Sequence, residues 1–136
     1  MEKGDHSMFS IDIQDVLKLG IALLLGGIIG AERERYKKDA GLRTTILITL
    51  GSALFTILSL RISVVNEELT RIASNIVTGI GFLGAGVIIQ EHGRVKGLTT
   101  AATIWISAAI GMACGGGEFA LAAVVTFLTM IVLIPL

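Results

Sequence analysis

The chain has 136 residues, no net formal charge, 53% hydrophobic residues and only 16% charged ones. Its mean hydropathy of +0.82 is far above that of soluble domains and excludes an ordinary soluble fold. A single cysteine excludes an internal disulfide. The sequence shows no catalytic set of residues and no phosphate-binding loop, so we predict that the protein is not an enzyme. One short basic loop is too little to predict nucleic-acid binding.

Five apolar stretches predict transmembrane helices. Four stretches carry no charged residue, namely 44–60, 72–90, 98–117 and 119–136. A span takes about 20 residues, which the first stretch reaches if its helix begins near Ile13 and Lys18 extends to the interface. We therefore predict an all-α polytopic membrane protein, a compact glycine-rich bundle of five transmembrane helices. The predicted spans are 13–31, 44–62, 72–90, 98–116 and 119–136, after a short extracytoplasmic leader at 1–12.

The loops differ in charge, which predicts their orientation. Segments 32–43 and 91–97 together carry seven basic and four acidic residues. Short loops rich in lysine and arginine stay in the cytoplasm. We expect a multi-pass protein of the bacterial inner membrane with its N-terminus outside and its C-terminus in the cytoplasm. The fifth span has no polar anchor after it, so we also expect the natural chain to continue into a cytoplasmic domain.

Glycines inside the predicted spans indicate close helix packing, because small residues let helices approach in lipid. The third span carries four glycines within eight residues, too many for one helical face. Either this helix packs closely on two faces, or it is broken and lines a solute site. The predicted packing residues are Gly26, Gly30, Gly79, Gly81, Gly84, Gly86 and Gly111.

Few polar side chains fall inside the spans, and no ionisable residue lies near mid-membrane, which disfavours active transport by this chain alone. Trp105 lies midway along the fourth span, so its indole N–H is expected to find a partner within the bundle. Asn75 is expected to face a neighbouring helix. The predicted intramembrane polar set is Asn75, Thr99, Thr100, Thr103 and Trp105.

Three predicted helix ends place opposite charges in one layer at the cytoplasmic face. This predicted cluster consists of Glu32, Arg33, Arg43, Thr44, Glu91 and Arg94. A bidentate pair of Glu32 with Arg43 would fix the first hairpin. The alternative interpretation is that these charges only anchor the spans at the interface.

Several of these segments resemble the MgtC/SapB family. Residues 30–33 and 40–44 are similar to its first hairpin, residues 71–73 and 76–89 to its third span, and residues 97–105 and 107–111 to its fourth. The resemblance implies a five-span inner-membrane protein with its N-terminus outside, linked to survival in low magnesium and to virulence.

The resemblance also implies a mode of action. One branch of the family acts by inhibiting the F-type ATP synthase, as a regulator and not as a transporter. That branch has asparagine where this chain has Thr99, a difference that counts against inhibition of the synthase by this chain. We expect a regulator in the lipid bilayer that acts through helix–helix contacts as a homodimer, with the F-type ATP synthase as a candidate partner in spite of this difference. The alternative is a channel or carrier for Mg²⁺ or another small solute. No cofactor is expected beyond Mg²⁺ as a ligand, and the metal-binding residues stay open.

Overall fold

The computed structural model describes residues 10–62 and 69–134. This part of the chain forms five helices and one short hairpin between α3 and α4: α1 Ile13–Arg35, α2 Leu42–Ile62, α3 Leu69–Gly86, β1 Ile89–Glu91, β2 Arg94–Lys96, α4 Leu98–Gly115 and α5 Phe119–Leu133. By length and composition, α1, α2 and α4 can each cross a membrane. The predicted all-α membrane fold is therefore confirmed.

Two helices end at positions other than those predicted. Helix α1 continues to Arg35, beyond the predicted end at residue 31, and stops where Lys37 takes a positive φ of 54°. Charged residues favour the aqueous end of a helix, but backbone geometry decides where the helix ends. Helix α5 ends at Leu133 and is shorter than the predicted span. Leader residues 1–9 and the last two residues lie outside the described part.

The third predicted span is wrong at its C-terminal end, because its last residues leave the helix and form a hairpin. Strands β1 and β2 pair antiparallel, with Glu91 opposite Arg94. Both turn residues, His92 and Gly93, have positive φ angles of 48° and 75°, the backbone that tight two-residue hairpins need. Glu91 therefore lies in a strand and does not close a helix.

Gly97 turns the chain from the hairpin into α4. Its φ is 90°, and a Cβ at this position would overlap the carbonyl oxygen of Val87. Any larger residue would thus be strained and would collide with the end of the preceding turn. Gly97 fixes how closely the hairpin lies to the start of α4.

Helices α1, α2 and α4 approach one another through glycine. A Cβ at Gly26 would overlap the Thr49 hydroxyl, and a Cβ at Gly30 would lie 2.8 Å from the Cα of Leu42. At Gly111 a Cβ would overlap the carbonyl oxygen of Thr49. Such contact is the main source of helix association in lipid. Helix α4 also contacts every other helix and so forms the centre of the bundle.

Helix α3 behaves differently from the prediction. It is continuous from Leu69 to Gly86, so it is not broken. Of its glycines, Gly84 is buried and would place a Cβ 3.7 Å from Ala101. Gly79, Gly81 and Gly86 are exposed, and a Cβ there would meet no atom within 4 Å. These three glycines therefore do not pack against another helix of the described chain.

Candidate functional site

One end of the bundle contains a pocket of about 770 Å³ between the α1–α2 loop, the start of α4 and the end of α5. We call it the charged pocket. Its polar lining consists of Glu32, Arg33, Tyr36, Lys37, Lys38, Asp39, Thr99 and Thr100. Leu98, Val132 and Leu133 form an apolar part of its wall. The α1–α2 loop and the hairpin side thus meet at the same end, as the sequence predicts for the two basic loops.

Arg33 is the most enclosed charge in this pocket, with 3% of its surface exposed. Its Nη2 donates a hydrogen bond of 2.7 Å to the Thr100 hydroxyl. Its Nε is buried without a partner. Among the described residues no carboxylate forms an ion pair with it, since their single ion pair joins Arg61 and Asp15. A buried guanidinium with so few partners carries a large desolvation penalty.

Glu32 lies beside Arg33 in the sequence and is also buried, with 9% of its surface exposed. Its Oε2 has no hydrogen-bond partner. The predicted pair of Glu32 with Arg43 is wrong: Arg43 is exposed and forms no ion pair among the described residues. Arg43 lies on the outward face at the start of α2, whereas Glu32 points into the bundle. The pocket therefore holds one carboxylate and one guanidinium that do not neutralise each other.

The remaining members of the predicted cluster lie outside the charged pocket. Glu91 and Arg94 are exposed and face each other across the hairpin. Thr44 is exposed and lines a separate, mostly apolar groove of about 630 Å³ between α2, α3 and α4. The predicted layer is thus divided between a buried pair and exposed charges around it.

The predicted intramembrane polar set is also divided. The Thr103 hydroxyl donates to the Thr99 carbonyl at 2.8 Å, within the same helix. Asn75 is exposed and lines the apolar groove. Trp105 is 54% exposed, and its indole N–H has no partner among the described residues, so the expectation of a partner inside the bundle is wrong. The opposite face of α4, with Ser107 and Gly111, is the buried one.

Sequence reasoning missed an ion pair at the other end of the bundle. Arg61 near the end of α2 donates from Nη2 to Oδ2 of Asp15 in the first turn of α1. The sequence could have predicted this pair, because an antiparallel α1–α2 hairpin places the start of α1, with Asp15, beside the end of α2, with Arg61. Lys37, Lys38 and Asp39 also line the charged pocket, although the sequence pattern identifies them only as part of a basic loop.

Comparison with known proteins places these features in a family. Residues 19–136 match the model of the MgtC family. The chain is 51% identical over 115 residues to Protein MgtC of Salmonella typhimurium (strain 14028s / SGSC 2262), covering 83% of this chain and 49% of that protein. It is 51% identical over 105 residues to Protein MgtC of Brucella abortus (strain 2308), covering 77% and 44% respectively.

No solved structure matches the chain. The chain spans about half the length of the curated relatives it matches. The match to the family model begins within α1, at residue 19, and extends through α5. The chain therefore belongs to the MgtC family.

Proposed function

We propose that this protein is a regulator in the bacterial inner membrane that acts on another membrane protein through helix–helix contacts. The observation that carries this proposal is the outward face of α4. Leu98, Ala102, Trp105 and Ala109 are exposed along one side of this helix, although α4 contacts every other helix of the bundle. We call this stripe the α4 face.

The α4 face has the chemistry of a helix-docking surface. Trp105 projects between two alanines, so a partner helix can come close on either side of a large aromatic anchor. Its indole N–H has no partner among the described residues. In lipid, a carbonyl or hydroxyl on a partner helix would satisfy that donor. A partner would thus gain both packing and a hydrogen bond.

The outward glycines of α3 support association with a second copy of this chain. At Gly81 and Gly86 the backbone is exposed, lies outside the apolar groove and has no atom within 4 Å of a Cβ. Replacement of Gly81 by leucine should reduce the homodimer fraction measured by cross-linking in membranes. The same change at Gly20, an equally open glycine on α1, is the matched control.

The experiment for the regulatory role compares Trp105→Ala with Phe127→Ala. Phe127 is an equally large exposed residue, 66% exposed, on α5 and outside the α4 face. The first partner to test is the F-type ATP synthase, by its ATPase activity in inverted vesicles and by cross-linking to the chain. We expect Trp105→Ala to weaken binding about tenfold or more, as loss of an aromatic anchor does, and Phe127→Ala to have little effect. Equal effects of the two variants, or no effect of the chain on the enzyme, would contradict the proposal.

We place this regulator in adaptation to low magnesium and in virulence, the processes that the family resemblance implies. A strain lacking the protein should grow normally in ample magnesium and poorly when magnesium is limiting. The alternative of an Mg²⁺ channel needs clustered oxygen ligands. Among the described residues no three Asp, Glu, His or Cys side chains lie together, so we favour the regulator. Saturable Mg²⁺ flux into liposomes holding the purified chain would reverse that preference.

A further inference from the structure

The charged pocket presents two buried charges that lack partners of opposite sign within the described chain. Arg33 is 3% exposed, with its Nε unpartnered, and Glu32 is 9% exposed, with its Oε2 unpartnered. Being neighbours on a helix, the two side chains point about 100° apart and do not meet. Each leaves an incomplete hydrogen-bonding shell inside a pocket that is large enough for a ligand.

The start of α4 adds a second, independent preference for an anion. The N-cap residue Gly97 has no side chain to cap the first turn, and residues 97–100 line the pocket. The N-terminus of a helix carries a partial positive charge and free N–H donors, which bind phosphate and carboxylate groups. Arg33, held by Thr100 in that same turn, faces the anion from the α1 side.

Glu32 requires the opposite chemistry. A ligand that brought only an anion would leave this carboxylate buried without a partner and would add a repelling charge beside it. A ligand with a phosphate and a primary ammonium group satisfies both residues and leaves the charge of the pocket unchanged. Lys37, Lys38 and Asp39 are exposed at the rim of the pocket and also combine positive and negative charges.

The position of the pocket selects a lipid as the source of that headgroup. The pocket lies where α1 and α5 end and α4 begins, which is the interfacial level of a membrane bundle. Leu98, Val132 and Leu133 provide an apolar side for acyl chains. We propose that the charged pocket binds the headgroup of a phosphatidylethanolamine-type lipid, with its phosphate at Arg33 and the start of α4 and its ammonium group at Glu32. This site is independent of the proposed regulatory role.

The test is binding of defined lipids to the purified chain, followed by native mass spectrometry. Phosphatidylcholine keeps the phosphate but has no N–H donor, and phosphatidylglycerol has no ammonium group at all. We expect phosphatidylethanolamine to bind about tenfold more tightly than either, because one charge-assisted hydrogen bond is worth about that much. The isosteric variant Glu32→Gln should abolish the preference over phosphatidylcholine, whereas Glu34→Gln, which changes an exposed residue of the same helix, should retain it.

Arg33→Lys should weaken the binding of all three phospholipids, because a lysine ammonium cannot donate hydrogen bonds to Thr100 and to a phosphate at the same time as a guanidinium can. Its control is Arg43→Gln, an exposed cation outside the pocket. A lipid preference that survives in Glu32→Gln, or tighter binding of phosphatidylglycerol than of phosphatidylethanolamine, would overturn the proposal. Glycerophosphoethanolamine or inorganic phosphate binding as tightly as the lipid would assign the site to a soluble ligand and overturn the lipid source.

Discussion

Replacement of Gly111 by alanine tests whether the close contact of α4 with α2 holds the bundle together. An added Cβ would overlap the Thr49 carbonyl oxygen and lie 2.9 Å from both the Thr49 Cα and the Ser52 Cβ. Two of these three atoms belong to the backbone and cannot rotate away. The two helices must therefore separate locally for the methyl group to fit.

The size of the effect follows from ordinary contact distances. Carbon atoms prefer about 3.5–4.0 Å, so α2 must withdraw by roughly 0.6–1 Å, and a gap of that size loses a quarter to a half of the attraction of the atoms it separates. Overpacking of this kind costs about 1–3 kcal/mol. Alanine recovers up to about 1 kcal/mol in helix propensity. Because backbone atoms cannot move away, we expect an overpacking cost of about 3 kcal/mol. After the gain in helix propensity, the free energy of unfolding should fall by about 2 kcal/mol.

The assay is reversible unfolding in mixed micelles, followed by far-ultraviolet circular dichroism. The matched control is Gly81→Ala, since a Cβ at Gly81 would meet nothing within 4 Å and α3 should gain helix propensity. The first variant should unfold at lower denaturant and the second at equal or higher denaturant. If both variants shift alike, the contact between α4 and α2 is not what stabilises the bundle.

Two further predictions concern the polar ends of the bundle. Thr100→Val should remove the hydrogen bond to buried Arg33 and lower the free energy of unfolding by about 1.5–3 kcal/mol in the same assay. The control Thr99→Val, at an exposed position, should cost much less. Equal costs would mean that Arg33 finds another acceptor. Asp15→Arg should lower stability, and the exchange Asp15→Arg with Arg61→Asp should restore part of it. No recovery in the double variant would show that the two charges act separately.

The sequence predicts the helices whose ends coincide with a change of composition. Helices α1, α2 and α4 are long apolar segments that are bounded by charged or glycine-rich residues, so hydropathy places them to within a few residues. The hairpin was missed because Val87, Ile88 and Ile89 continue the apolar run of the third span. Such residues are as common in strands as in buried helices, and a short apolar run does not distinguish the two.

The candidate site was predicted only as a layer of charges. The contact of Arg33 with Thr100 joins residues 67 positions apart, so only the packing of α1 on α4 reveals it. The sequence predicts a pair of Glu32 with Arg43 because both lie at the ends of the first predicted hairpin. In the structure Arg43 is exposed and points away from Glu32, so the pair does not form. The same holds for Trp105, whose direction depends on which face of α4 the other helices cover.

The two ends of the bundle differ in how their buried charges are compensated. At one end Asp15 and Arg61 neutralise each other, which needs nothing outside the chain. At the other end Glu32 and Arg33 form no ion pair among the described residues, although both are buried. Leaving one buried charge uncompensated costs several kcal/mol, enough to offset a large part of a small bundle's stability. One end of the bundle therefore has an internal ion pair, and the other has two buried charges without an ion-pair partner among the described residues. The second arrangement is suited to a ligand that carries both a positive and a negative charge.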